Sequence, residues 1–278
     1  MMLAPRYDGP IVLSIEGTAD DQLVPLRRQR RRMLAMLAGL TDEQWLSPSR
    51  CDGWAARDVV AHLVDVNAFW QVSIAAGLAG EPSRLLEGFD PATTPPMLVG
   101  RMTALSARQI FDQFVASSEA LLDIVSGLTD DQWSRLAESP AGHVPIRLVV
   151  QHALWDCWVH ERDITVPLGI APVADEDELR SCLRYAAVIG PVLGLGLKRA
   201  PSAVVAIEAT DPAIRFVVEI DDSVTLRDEV VADVPCLRGD ALALVEGLSL
   251  RAPMPTSIPI EWSLLLAGLA IAFDAVPM

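Results

Sequence analysis

Residues 149–164, VVQHALWDCWVHERDI, decide how this chain is read. The stretch is apolar enough to lie inside a helical bundle, yet it carries His152, Asp156, His160 and Asp163. Positions four apart on a helix are rotated by only about 40° and rise about 6 Å along the axis. Asp156 and His160 therefore sit one above the other on a single face. Polar groups on an otherwise buried face are costly unless something pairs with them. The spacing predicts half of a site.

An internal repeat supplies the other half. GLTDEQW at 39–45 recurs as GLTDDQW at 127–133, and VVAHL at 59–63 recurs as VVQHA at 149–153. Each copy reads helix, capped turn, tryptophan, loop, then a helix with a histidine after two valines. Thr41 and Gln44 have the spacing of a capping box, in which each residue's side chain bonds the other's backbone N–H. Two such helical hairpins, stacked, predict a four-helix bundle whose second and fourth helices are equivalent.

His62 on the second helix then neighbours the fourth. With Asp156 and His160 it forms a His, Asp, His set from two facing helices, which is how bundle cores build metal sites. Three protein ligands leave a coordination position open, as catalytic sites do. Two imidazoles and a carboxylate suit Zn²⁺, with Fe, Ni and Mn as alternatives. Asp65 and Asp163, each three residues after a histidine, are candidate acceptors to hold the rings. His152 is either a further ligand or the repeat counterpart of His62. The plainer reading makes each histidine a core residue with one hydrogen bond; three groups aligned across paired helices weigh against it.

Outward from these helices, residues 1–18 read as a lead-in with an extended piece at 10–15. Helices are expected over about 20–40, 55–79 and 97–125. Arg27 to Arg32 (RRQRRR) reads as the solvated face of the first helix, since the chain as a whole is acidic. Residues 80–96, rich in proline and glycine, have the length of a lid or crossover.

After Pro167-Leu-Gly169 the texture changes. A helix over 175–197 precedes β-branched runs at 203–210, 213–220 and 224–234. A short helix opens at Leu237-Arg-Gly-Asp240 and runs to Gly247, and a last helix is expected over 259–275. Strands grouped together and flanked by helices indicate an α+β unit. The predicted fold class is an all-α N-terminal four-helix bundle over residues 1–170, followed by a smaller α+β domain over 171–278.

The chain has 278 residues, 51% hydrophobic, enough to bury a core without staples. Its 22 basic and 37 acidic residues give a net charge of −15, which argues against nucleic acid and anionic membrane surfaces. Cys51, Cys157, Cys182 and Cys236 are widely spaced with no CxxC, so neither a disulfide framework nor a cysteine zinc site is indicated. The first residues lack the basic and apolar regions of a signal peptide, and the apolar run 262–273 is too short to span a bilayer. A soluble, cytoplasmic protein is expected. His160-Glu161 does not open an HExxH motif, Gly194-Leu-Gly196 does not join a strand to a helix, and no GxSxG elbow occurs.

The pattern CDGWAARDVVAHLVD (51–65), then GLTDDQW, then ALWDCWVHERDI (153–164), resembles the mycothiol-dependent maleylpyruvate isomerase family, within the DinB-like four-helix metalloproteins. The similarity covers about residues 20–168. Residues 175–278 resemble, more weakly, the sterol-carrier-like α+β domain that follows the bundle in those enzymes. The resemblance implies a divalent metal, usually zinc, on His62, Asp156 and His160. The family's isomerase has glutamate where this chain has Asp156, an arm one methylene longer.

The resemblance further implies a low-molecular-weight thiol such as mycothiol, whose thiolate occupies the open metal position. Added to a small electrophilic substrate, it permits cis–trans isomerisation or transfer. Arg162, Arg184 and Arg238 are candidates to hold a substrate carboxylate, and His143 stands in the loop ahead of the fourth helix. Two other classes remain: a non-catalytic metal- or small-molecule-binding regulator, and a metal-dependent hydrolase. The expected partners are the substrate and the thiol, without nucleic acid or membrane, with a homodimer as the assembly to test.

Overall fold

Helical periodicity in the first 165 residues produces four long helices that pack on one another. In chain order the helices are α1 (Leu23–Ala38), α2 (Asp42–Trp45), α3 (Ala56–Ala79), α4 (Thr94–Gly100), α5 (Ala107–Ser126), α6 (Asp130–Trp133), α7 (Ile146–Thr165), α8 (Glu176–Gly196) and α9 (Ala241–Leu248). The strands are β1 (Leu13–Ile15), β2 (Leu136–Ser139), β3 (Gly142–Pro145), β4 (Ala203–Thr210), β5 (Ala213–Ile220), β6 (Val224–Arg227) and β7 (Cys236–Gly239). This computed structural model describes residues 2–16, 22–197, 202–228, 233–254, 265–266 and 268–270.

α3 packs on α5 and α7, and α1 packs on the same two helices. Both repeat copies close as reciprocal capping boxes, Thr41 with Gln44 and Thr129 with Gln132, so α2 and α6 start at equivalent places. Met33, Val59, Val60, Leu63, Ile110 and Phe114 form a buried apolar cluster among these helices. By length and composition α3 would also suffice to cross a bilayer, yet 50% of that apolar window is buried within the protein. Its apolarity serves packing.

α7 is buried along nearly its whole length because α8 covers its other side. α8 and α9 in turn pack against a five-stranded sheet of order β1-β6-β5-β4-β7. Its outer pairings are parallel and its inner two antiparallel. In β5, Ile214, Phe216, Val218 and Ile220 are buried at the period of two that places them on one face. The extended piece expected near residue 10 is β1, and it forms an edge of this sheet. One hydrophobic core runs without a break from Trp70 and Ile74 through Val150 and Leu154 to Leu183, Ile207 and Phe216.

Several expectations need correction. The helix expected over 97–125 is two helices. Pro95 and Pro96 start α4, turns follow over residues 101–104, and a capping box of Ser106 with Gln109 starts α5 afresh. The loop before α7 contains the β2–β3 hairpin. Gly142 at φ 115° lets this hairpin approach the backbone of Arg6, and Gly77 admits the Leu136 carbonyl onto α3 where a Cβ would collide.

The RRQRRR run is not a uniformly solvated face. Arg30 is 1% exposed and donates to Asn67 Oδ1 at 3.1 Å and to the Ala153 carbonyl at 3.3 Å. Arg32 pairs with Glu161 and Glu178, and Arg28 with Asp175, Asp177 and Glu178. The acidic partners come from α7 and the start of α8, elements too distant in sequence to be anticipated. Finally, Leu237 to Gly239 belong to β7, and Asp240 is the N-cap of α9, accepting from the Ala243 N–H at 3.1 Å. The extended run expected to residue 234 is a strand to Arg227; residues 229–232 lie outside the described residues. The last helix, 259–275, also lies mostly outside them, though residues 265–266 and 268–270 are helical.

Candidate metal and substrate site

α3 carries His62 and α7 carries Asp156 and His160, and the packing of α3 on α7 brings the three together. Their ligand atoms all lie within 4.8 Å of one another. The His62 and His160 rings meet edge to face, with centroids 5.1 Å apart, and Trp54 lies 5.3 Å from His62. His160 Nε2 is 3.7 Å from Asp156 Oδ1. Asp156 Oδ2 is buried and has no hydrogen-bond partner among the described residues. Such an orphan costs about 1–3 kcal/mol unless a ligand satisfies it.

The other nitrogen of His160 is committed. Nδ1 lies 3.0 Å from Asp163 Oδ2, the expected contact between a ring and a residue three positions on. Asp163 is wholly buried and also accepts from Arg50 Nε at 3.0 Å, from Arg251 Nε at 2.9 and 3.1 Å, and from Cys51 Sγ at 3.2 Å. Burial would raise its pKa, but the His160 hydrogen bond and the Arg251 charge hold it well below the carboxylate range. Asp163 is thus an ionised acceptor, so Nδ1 carries a proton in either charge state of the ring, and Nε2, the nitrogen that a metal would deprotonate, faces Asp156 and His62.

Two groups of potential ligands share His160: His62 with Asp156, and Cys51 with Asp163. The second group is already internally bonded, and its carboxylate is neutralised by two arginines. The first holds the orphaned oxygen. Desolvation and the His160 charge push His62 down to about 4, leaving a neutral ring. His160 goes the other way: burial opposes its charge, but Cys51, Asp156 and Asp163 outweigh burial and hold it up at about 10. The field that favours a proton on His160 equally favours a cation among these ligands. On donor chemistry, burial and the orphaned oxygen, a divalent ion fits His62, Asp156 and His160.

The three residues form part of the wall of a cavity of about 370 Å³. The wall is mainly apolar, with Phe69, Trp70 and Trp155 from α3 and α7 and Leu85, Leu86 and Phe89 from the segment after α3. His152 and Arg251 also face this space. The segment 83–89 is held in place by Glu138 of β2, which accepts from Tyr7 Oη, Ser83 Oγ and the N–H groups of Leu85 and Leu86 at 2.6–2.8 Å.

The other sequence candidates take no part in this ligand set. Asp65 lines the cavity but makes no hydrogen bond to His62 that would orient the ring; its Oδ2 is unpartnered, and burial raises its pKa. Arg162 pairs with Glu246 and stacks on Trp158, Arg184 pairs with Asp228, and Arg238 with Glu208. None of the three lines the cavity. His143 sits in β3 against the Ser83 carbonyl, at 2.8 Å. The cation on the cavity wall is Arg251, which no periodicity announces: it follows α9 after Leu250, whose φ is 58°. Arg50 and Cys51 are equally silent in the sequence, since Asp163 lies 113 and 112 residues further on.

The family model of the mycothiol maleylpyruvate isomerase N-terminal domain matches residues 26–165, the span that contains all three ligand candidates. The chain belongs to this family. Two solved structures share the fold. The mycothiol-dependent maleylpyruvate isomerase aligns with a TM-score of 0.60 at 15% identity, covering 85% of this chain and 90% of that one. A histidine-to-alanine mutant of the mycothiol-dependent maleylpyruvate isomerase aligns with a TM-score of 0.61 at 14% identity, with the same coverage. No curated protein matches.

Proposed function

We propose that this member of the maleylpyruvate isomerase family is a thiol-dependent isomerase or transferase acting on a small electrophile, with a divalent metal, zinc by its donor set, held by His62, Asp156 and His160. The four long helices are then a DinB-like bundle with the metal between its second and fourth members. The observation that carries the reading is the convergence of two imidazoles and a half-unpaired carboxylate on one wall of an apolar cavity. When bound, the ion supplies Lewis acidity that lowers a thiol's pKa, making a thiolate available at neutral pH.

The chain's own residues do the rest. Asp163 fixes the His160 ring through Nδ1, so that Nε2 stays aimed at the ligand set. Arg50 and Arg251 keep Asp163 ionised in a buried position. Arg251 also gives the cavity a positive wall against which a substrate carboxylate is favourable. The apolar walls exclude water, which keeps a thiolate reactive and keeps the enolate of the adduct from being protonated before the alkene reforms.

The test is thiol binding and turnover by the zinc-loaded protein, using mycothiol, glutathione and bacillithiol in calorimetric titrations and maleylpyruvate as the probe substrate. Saturable binding of one thiol at millimolar concentration or below, lost in His62→Ala, is the expected result. Absence of binding by all three overturns the reading.

A further inference from the structure

His152 has no part in the ligand set, yet the structure places it carefully. It lies one helical turn, about 6 Å, before Asp156 on the same face of α7, and its ring lines the cavity. Trp70, Trp155 and Tyr185 surround the ring, with centroids at 4.7, 5.4 and 5.0 Å. Its Nδ1 is 2.6 Å from Tyr185 Oη.

That contact determines which nitrogen bears the proton. Tyr185 is 0% exposed, and among the described residues its hydroxyl has no partner besides His152. A buried hydroxyl proton must be accepted somewhere, so Tyr185 O–H donates to Nδ1. Desolvation raises the Tyr185 pKa, which keeps that proton on oxygen. Burial also brings His152 down to about 4, so the ring is neutral and its single proton sits on Nε2.

The cavity wall therefore includes, at His152, a neutral imidazole N–H donor on a rigid support. Most other polar wall groups have tasks: His62, Asp156 and His160 form the ligand set, Arg251 is held by Asp163, and Ser249 accepts from Trp155 Nε1 at 2.9 Å, while Asp65 Oδ2 and Trp70 Nε1 are buried without a partner among the described residues. A neutral imidazole N–H is the donor suited to a carbonyl oxygen that gains charge during reaction.

We propose that His152 is a catalytic residue, its Nε2–H stabilising the enolate oxygen formed when a thiolate adds to the double bond of an α,β-unsaturated keto acid. The proposal rests on the thiol-dependent reading above. In the step, the sulfur forms a bond to one alkene carbon, and the π electrons move through the adjacent carbon onto the carbonyl oxygen. The former double bond is then single and rotates. The electrons return, the alkene reforms in the trans geometry, and the thiolate leaves unchanged. No proton or electron is gained or lost overall. His152 donates its hydrogen bond throughout and need not ionise.

Two measurements test this. The first reads the tautomer without any turnover: the chain has only 4 histidines, so long-range proton–nitrogen NMR on ¹⁵N-histidine protein, with each histidine replaced in turn, assigns each ring. His152 with its proton on Nε2 at neutral pH supports the proposal, and a proton on Nδ1 or on both nitrogens overturns it. The second is kinetic, with the zinc- and mycothiol-loaded protein and maleylpyruvate. His152→Phe keeps an aromatic ring but no donor and should lose about 10²–10³ in kcat. His152→Gln, whose amide places an N–H near the same point, should recover at least about tenfold of that loss. Zinc content and mycothiol affinity should stay as in the parent protein in both variants. An unchanged kcat in His152→Phe, or a loss matched by lost zinc or thiol binding, overturns the proposal. If the parent protein itself does not isomerise the substrate, the thiol-dependent reading fails and the catalytic role falls with it, whereas a wrong tautomer defeats this inference alone.

Discussion

His160 Nδ1 lies 3.0 Å from Asp163 Oδ2, and this one contact turns the opposite nitrogen toward Asp156 and His62. Asp163 itself is the meeting point of Arg50, Arg251, Cys51 and His160, so its loss should be felt twice. Asp163→Asn keeps the size but removes the charge that two arginines and the ring are arranged around. Metal affinity should fall about 10–100-fold, as for other outer-shell partners of ligating histidines. Stability should fall by about 3–5 kcal/mol, because Arg50 and Arg251 lose their buried counter-charge. Zinc titration and urea unfolding measure the two effects separately.

Asp156 should behave in the opposite way. Its Oδ2 is buried with no partner among the described residues, so the carboxylate costs the metal-free protein stability. Asp156→Asn should change metal-free stability by no more than about 1 kcal/mol in either direction, since the penalty of the orphaned oxygen is offset by the charge that Asp156 lends to His160. The rise in Tm produced by zinc should vanish in the same variant. A destabilisation of several kcal/mol in the metal-free variant would mean that Asp156 is an ordinary structural acceptor.

Much of this arrangement was legible in the sequence, and the reasons differ by residue. The repeat marked α3 and α7 as neighbours, and the i, i+4 spacing alone put Asp156 and His160 on one face. β4 and β5 declared themselves by β-branched runs separated by Asp-Pro. The break between α4 and α5 was hidden because apolar periodicity continued across it, although the Ser106–Gln109 box was there to be read. The β2–β3 hairpin depends on contacts remote in sequence, with Ser73 Oγ donating to the Glu138 carbonyl at 2.7 Å. Arg30 looked solvated because its acceptors, Asn67 and Ala153, belong to helices that only the fold brings near. Arg251, on the cavity wall, follows a positive-φ turn and carries no pattern at all.

Glu138 offers a test of the cavity's outer wall. It is the shared acceptor for Tyr7, Ser83, Leu85 and Leu86, and Leu85 and Leu86 line the cavity. Glu138→Ala leaves four donors without their acceptor and should destabilise the protein by at least about 3 kcal/mol. Hydrogen exchange should quicken in residues 83–89 more than in α7, since the segment is tied down by this side chain while the helix is held by its core. Uniform acceleration along the chain would contradict that division of labour.

The repeat predicts equal penalties at equivalent caps. Thr41 accepts from the Gln44 N–H at 3.2 Å, and Thr129 from the Gln132 N–H at 3.4 Å. Thr41→Ala and Thr129→Ala should each cost about 1 kcal/mol in chemical denaturation. Their double variant should lose about the sum, since the two turns share no partner.

The proposed ligand set, His62, Asp156 and His160 around one divalent ion, is open to direct measurement. Elemental analysis of the purified protein alongside His62→Ala and His160→Ala, each first confirmed as folded, tests it directly. Close to one zinc per chain in the parent protein, and the loss of most of it in both variants, is the expected result. Equal metal content in all three proteins would contradict it.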